Sequence, residues 1–503
     1  MKTRFHLNRS ALALLGLMAF ATTTDAATVR IGLSSLPPGN GNPFTSSART
    51  AWYTWRAIFD TLTQLGPGMT PVPALAVSWK NTSPQTWVLD LRPNTTFSNG
   101  EAMNADAVIK TVAYLQSPQA AQEPLSRDVE NIAGIRALDA LTIEITTKQP
   151  DPMFARQIAG LPIVPPEAWA KMGRDQFAQA PIGTGPFVVE KWDSARVTLK
   201  ANPKSWRAPK SESIELVVLP ETSTRVQALL SNRVELASEI GPEDIEVIEA
   251  AGFKYYQRPA SAVEVMALNN IVDNPLKDVR VRQALNYAVD RQAIADSLMH
   301  GLVLPSTQTT PRSNPEYDPS ITGYPYDPAK AKALLREAGY PDGFSFIFEM
   351  SQGTAGIHVT SMYQKVAEDL ARVGVKMEIR PVPWSQYVRA ILQGEWKGQT
   401  AFGFEYETMP TGETMRPFRL HSCTWPYPWY CDKEMTPLIA EAKSTFDPAR
   451  RLELVHRILR AYHENAAALV LVEPLGLDGV SPKLQGYSQL NGIIPYQDLT
   501  VAK

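Results

Sequence analysis

From residue 278 to residue 476 the chain keeps returning to one pattern: a capping residue, a helix-forming run, a stop, and a short apolar run. Asp278 precedes VRVRQALNYAV, and Asp290 precedes RQAIADSLMH, which Gly301 ends. Asp327-Pro328 opens AKAKALLREAG with its stop at Gly339. An Asp side chain accepts from the free N–H groups of a first helical turn, Pro fits the first helical position, and Gly takes the left-handed φ that closes a helix. FSFIFEM reads as a strand. A helix over Thr360–Val373 follows, stopped by Gly374, and then VKMEIRPV, whose Val375, Met377 and Ile379 alternate with charge. Ser385 starts QYVRAILQGEW, Asp447-Pro448 starts ARRLELVHRILRAYHEN, and AALVLVEP closes the run. Strands alternating with helices of this length predict a parallel α/β layer.

The first half is β-rich instead. TVRIGLSS starts as a strand, and Trp52, Trp55, Ile58 and Phe59 have helical spacing over Ala51–Leu62. WVLDLRPNTTFSNG alternates with period two and ends in a turn, as a hairpin does; Asn104 caps a helix to about Leu115; Ile135–Thr147 is a strand pair turning near Asp139-Ala140. With 503 residues, about two to four domains are expected. No repeat or low-complexity linker separates the halves, so two closely coupled lobes are predicted.

The N-terminus carries an address. Lys2, Arg4 and Arg9 precede ALALLGLMAF, and small residues follow to Ala26-Ala27, the pattern of a secretory signal peptide over 1–26. No cysteine follows the apolar run, so a free periplasmic protein is expected rather than a lipid-anchored one. Three basic residues and one acidic residue leave with the leader, taking the formal charge from −2 to −4. That mild balance argues against nucleic acid as a partner. Cys423 and Cys431 in HSCTWPYPWYCD are the only cysteines, and in an exported chain an even pair reads as a disulfide closing a short loop. A metal site from His421, Cys423, Cys431 and Asp432 lacks the usual zinc spacing. No metal or other cofactor is expected.

Catalytic signatures are missing where they should show. No G-x-S-x-G nucleophile turn and no zincin histidine pair occurs, and no two of the six histidines lie within four residues of each other. PIGTGPF (181–187) has neither the third glycine nor the following helix of a dinucleotide loop, and it lacks the Lys-Ser/Thr of a P-loop. It reads as a turn feeding the strand FVVEKW. An enzyme is not expected.

Four segments in order carry a resemblance: PALAVSW (73–79) with LDLRPNTTFSNGEAMNADAV (89–108), IGTGPF with VVEKW, Asn202-Pro203-x-x-Trp206, and LNNIVDNPLKDVRVRQALNYAVDRQAI. Together they resemble the family 5 extracellular solute-binding proteins, the dipeptide, oligopeptide and nickel receptors of ABC importers. The resemblance implies an α/β fold, the large two-lobed type II (cluster C) periplasmic binding protein with an extra subdomain inserted in lobe one. Lobe one would run over 27–268 with the insert near 70–180, lobe two over 269–478, and 479–503 would return to lobe one. Two chain crossings make a hinge, and a ligand touching both faces stabilises closure. The Gly183–Pro186 turn would sit where the insert rejoins lobe one, as scaffold.

Peptide receptors of the family carry W-x-x-D-x-x-D-P, whose first Asp takes the ligand's ammonium. The matching stretch here is Phe402–Pro410, which aligns Phe402 with the Trp and Glu405 with the Asp. Glu405 beside aromatic rings could hold a cationic group. The Arg that pairs a dipeptide's carboxylate has no counterpart in GIHVTSMYQK (356–365), leaving His358, Thr360 and Ser361, or Arg416 and Arg419, as substitutes. For a nickel complex or haem, His421 is the candidate. The aromatic wall would come from Trp52, Tyr53, Trp384, Phe404, Tyr406, Trp425 and Trp429. The expectation is thus a monomeric receptor that closes on a small molecule or peptide, or an amine-bearing conjugate, and delivers it to an ABC permease. The competing readings are an exported hydrolase using cleft carboxylates and a periplasmic chaperone or sensor of extended chains.

Overall fold

The computed structural model describes residues 28–46, 49–351, 357–395, 400–489 and 493–502, so the leader expected at 1–26 lies outside the described residues. Two large sheets organise the chain. The first has seven strands in the order Lys254–Arg258, Gly476–Val480, Leu236–Ala237, Val29–Leu33, Ser213–Val218, Arg196–Ala201, Phe187–Trp192. The second has five, in the order Val375–Val382, Phe344–Ser351, Ala401–Glu405, Glu264–Leu268, Ala468–Val470. A four-stranded antiparallel sheet, Ala76–Ser83, Thr86–Leu91, Thr142–Thr147 and Ile132–Ala137, builds a further layer on the first lobe. The chain passes between the two large sheets twice, at 259–263 and 471–475. Strand Glu264–Leu268, within the stretch expected to end lobe one, therefore pairs in the second sheet, and Gly476–Val480 begins in the first.

The second sheet is mixed rather than parallel. Phe344–Ser351 runs parallel to both its neighbours. Glu264–Leu268 runs antiparallel to both Ala401–Glu405 and Ala468–Val470. The cause is topological: the entering and leaving strands share one end of the lobe, so they must run in opposite directions. The helices between the strands follow the punctuation in the sequence. Asp278, Asp290, Asp327 and Asp447 each accept a hydrogen bond from a first-turn N–H. Gly339 and Gly374 take φ of 91° and 89° at the stops. Each face of the sheet is covered. Met266 and Leu268 pack with Phe348, Met362 and Tyr363 on one side, and Val265 and Ala267 with Phe402, Tyr406 and Trp429 on the other.

Two first-lobe expectations change. Thr86–Leu91 pairs with the strand before it and with Thr142–Thr147, so the hairpin lies ahead of WVLDL rather than after it. The helix expected over Ala51–Leu62 covers only Arg49–Trp55. It stops because the carbonyls of the next residues are taken by the PIGTGPF turn: Phe187 N–H donates to Ala57 O at 3.0 Å and Gly185 N–H to Ile58 O at 2.9 Å. A Cβ on Gly183 would fall 1.9 Å from Ile58 O, and one on Gly185 2.6 Å from it. Only glycine lets the two backbones meet.

Beneath this contact Asp60 is fully buried. It accepts from Thr184 Oγ1 at 2.8 Å and from Trp206 Nε1 at 2.9 Å, and Arg207 Nη2 lies 2.6 Å away. The IGTGPF and Asn-Pro-x-x-Trp segments are thus tied to one carboxylate. Asn202 Nδ2 and Ser205 Oγ fasten the turn further, donating to Gly185 O and Thr184 O. Gly183→Ala is expected to cost about 2–3 kcal/mol by overpacking against backbone. Gly134→Ala, where an added Cβ meets nothing within 4 Å, should stay within about 0.5 kcal/mol. Urea unfolding of both variants checks the contrast.

Candidate ligand site between the lobes

The antiparallel pairing that follows from entry and exit at one end brings two acids together. Glu264 begins the entering strand, Glu405 ends its neighbour, and the two stand opposite each other in register. Directly opposed residues of an antiparallel pair project from the same sheet face. Glu264 is 6% exposed while Glu405 is exposed. The Tyr363 hydroxyl, from helix Ile357–Ala371, donates to Glu264 Oε1 at 2.6 Å and lies 2.8 Å from Val265 O. Burial, reinforced by the Glu405 carboxylate, raises the Glu264 carboxyl well above its usual range. Burial likewise raises the Tyr363 hydroxyl.

The crossings form the floor. A small pocket there is lined by Arg258, Ser261, Ala262, Pro474, Gly476 and Gln489. Arg258, nearly buried, donates to the Tyr53 hydroxyl and sits 3.2 Å from Asp478 Oδ2. Glu407 is anchored rather than solvated: it accepts from Met409 N–H at 2.8 Å and from Ser261 Oγ at 3.2 Å. Contacts then span the lobes. Arg156 of the first lobe reaches Glu316 at 3.5 Å and Gly412 O at 3.4 Å, Arg419 reaches Asp128 at 3.9 Å, and His358 Nε2 lies 3.5 Å from Glu243.

The expected wall separates into layers. Phe404 is half-buried and packs within 5.4 Å of Trp429 and 6.5 Å of Tyr387. Phe402, aligned with the motif Trp, and Tyr406, expected on the wall, are buried in the core on the sheet face opposite Glu405 and Gly403, and Phe404 packs on that same face. Tyr406 stacks on His421 at 4.4 Å and shares a 2.8 Å hydrogen bond with the Tyr462 hydroxyl. Trp429 is also core. Trp52 and Tyr53 are buried in the short helix of lobe one, Trp52 under the Arg56 guanidinium. Trp384 stands 54% exposed at the start of helix Trp384–Gln393, stacked on Tyr387 at 5.5 Å. Trp425 is half-buried and donates to Ile391 O at 3.1 Å, holding its loop onto that helix. Arg416 donates to Glu407 O at 3.4 Å, and burial lowers its pKa. Cys423 and Cys431 form the expected disulfide.

His421 makes a poor metal ligand. It is 1% exposed among Tyr406, Phe418, Trp429 and Tyr462, and neither ring nitrogen has a hydrogen-bond partner. Among the described residues no cluster of His, Cys, Asp and Glu is arranged to hold a metal. Sequence reasoning missed Glu264, Tyr363 and Arg258. Glu264 had a signal: a lone acid in the apolar strand VEVMAL.

Two sheets joined by two short crossings, with acids and a small pocket at the junction, are the architecture of a two-lobed binding protein. The sequence profile of the bacterial extracellular solute-binding proteins, family 5, matches residues 70–406, and the chain belongs to that family. It is similar to the di/tripeptide-binding protein 2 of Pseudomonas aeruginosa, 26% identical over 97% of each chain. It is also similar to the glutathione-binding protein GsiB of Escherichia coli K12, 28% identical over 88% of each. Among solved structures it resembles the ABC transporter-associated periplasmic binding protein DppA of Helicobacter pylori in complex with the peptide STSA. There the TM-score is 0.81 at 20% identity, covering 95% of this chain and 98% of the other.

The buried imidazole yields a pH prediction. Burial lowers the His421 pKa from 6.5 to about 3. The unfolded chain takes up a proton below pH 6.5 that the folded chain refuses, so this contribution to stability is present above pH 6.5 and is lost as pH falls toward 3. Its slope reaches about 1.4 kcal/mol per pH unit. Denaturant unfolding of His421→Phe between pH 4 and pH 7 should show a slope shallower than wild type by that amount.

Proposed function

We propose that the protein is the periplasmic receptor of an ABC importer for short peptides or amine-bearing conjugates, with the free amino group held at Glu405. The observation that carries this reading is the exposed carboxylate at the interlobe end of strand Ala401–Glu405, beside Phe404, in the position where peptide receptors of the family hold a ligand ammonium. The relatives, one for di- and tripeptides and one for glutathione, support the ligand class. The leader would be cleaved after Ala26, leaving a soluble monomer. The lobes would be 27–258 with 476–503, and 264–470, closing about the two crossings on the ligand and presenting it to the permease. Binding rather than turnover fits a site that lacks a nucleophile–base pair. The opposite end of the ligand is met differently from the usual dipeptide clamp, since the first turns of helix Ile357–Ala371 offer His358, Thr360 and Ser361 in place of Arg.

A charge-assisted hydrogen bond contributes about 1.5–3 kcal/mol, so Glu405→Ala should weaken Ala-Ala or tri-alanine binding by roughly 10- to 150-fold, measured by titration calorimetry. Unchanged affinity would refute the role of Glu405. Native mass spectrometry of periplasm-purified protein should show retained peptides. A single non-peptide compound would redirect the ligand class while leaving the receptor reading intact.

A further inference from the structure

Nothing in the function just proposed requires a second acid. A strand interior is an expensive place for one, because a buried carboxyl without a cation must stay protonated or lose hydration uncompensated. Glu264 is such a group. Among the described residues no Lys, Arg or His pairs with it, and its one side-chain hydrogen bond is the Tyr363 hydroxyl on Oε1. Among the described residues its other carboxyl oxygen makes no hydrogen bond, and the residue is more than nine-tenths buried. A purely packed position would be filled as its strand neighbours are, by Val265, Met266, Ala267 and Leu268. The face it shares with Glu405 narrows to Gly403, where an added Cβ would fall 3.0 Å from the Tyr363 ring and hydroxyl. Tyr363 is thus wedged against the sheet, and its hydroxyl is delivered to the acid.

We propose that Glu264 is a second acid of the ligand site, and that a ligand's cationic group is read by Glu264 and Glu405 together. This assignment rests on the peptide-receptor reading. Three ionisable groups surround Glu264: Glu405 on the adjoining strand, Tyr363 on helix Ile357–Ala371, and Tyr387 on helix Trp384–Gln393, whose hydroxyl is also raised by burial and by both acids. Burial and the Glu405 carboxylate disfavour a negative charge on Glu264 while the site is empty, and the Tyr363 hydrogen bond works against them. A cation arriving beside Glu405 reverses that balance. The Glu264 O–H bond breaks, its proton passes to solvent, and the resulting carboxylate joins Glu405 in pairing the ammonium. Binding then selects ligands that bring a full positive charge, and it is coupled to release of a proton. A neutral amide or hydroxyl cannot discharge the second acid, so the pair discriminates by charge more sharply than one carboxylate would.

The test is titration calorimetry of the full mature protein with Ala-Ala, Lys-Ala and tri-alanine, run in buffers of different ionisation enthalpy between pH 6 and pH 7.5. The expected result is release of more than half a proton per peptide and an affinity that rises by up to tenfold per pH unit. In Glu264→Gln, which keeps the shape and an acceptor for Tyr363, proton release should vanish and the affinity should become flat with pH. A carbon-13 titration of labelled Glu side chains should show one carboxyl titrating far above the others in the ligand-free protein and missing from the variant. Peptide binding without proton exchange, or proton exchange unchanged in Glu264→Gln, overturns the second-acid assignment and leaves the peptide reading standing. Failure of all three peptides to bind overturns that reading and this assignment with it.

Discussion

The second lobe is governed by a constraint on chain path: it is entered at 259–263 and left at 471–475, through the same end. Strands Glu264–Leu268 and Ala468–Val470 must then run in opposite directions, side by side. Once the entering strand is fixed, its other neighbour, Ala401–Glu405, ends beside the point of entry. The edge that carries Glu264 and Glu405 is therefore where a strand begins and another ends, and backbone pairing there continues past the sheet, with Tyr406 and Thr408 bonded to Val263 and Ser261. The site inherits its rigidity from this pairing, not from the loops around it.

Buried charge is managed by two separate devices. Around Asp60 the charge is matched: one carboxylate, one guanidinium from Arg207, and neutral donors from Thr184 and Trp206. Elsewhere buried arginines are dispersed onto carbonyls. Arg225 donates to Leu219, Pro220, Ser238 and Glu239, and Arg282 to Leu276, Lys277, Asn465 and Ala466. Arg291 does the same with Asn286 and Val470. Each of these arginines staples loop ends whose carbonyls would otherwise be buried without donors. Glu264 belongs to neither scheme, which is why it stands out.

Legibility in the sequence followed the range of the interaction. Helices of the second lobe were readable because their signals are local: Asp side chains reach N–H groups two or three residues on, and glycine stops act at one φ. The disulfide was readable from compartment and parity. Strand direction was not, since it depends on where the chain goes afterwards, and so a parallel layer was expected where a mixed one forms. The helix from Ala51 was overrun for the same kind of reason: its carbonyls at 57 and 58 are claimed by residues more than 120 positions away. Glu405 was singled out through a motif. Two-residue alternation puts Phe402, Phe404 and Tyr406 on the face away from Glu405, and the first and last of them are buried there. Tyr363 and Arg258 carried no local mark at all.

The loop closed by Cys423 and Cys431 has a further consequence. Trp429 and Tyr430, just inside the bridge, are buried in the aromatic core that backs Phe404 and the strand ending at Glu405. Trp425, on the same loop, grips the helix after Trp384 through Ile391. Under reducing conditions those rings are held by packing alone; under oxidising ones the bridge adds a covalent tie. The bridge therefore ties the loop to the core behind Glu405 at two points eight residues apart, and what it secures is the packing of Trp429 and Tyr430.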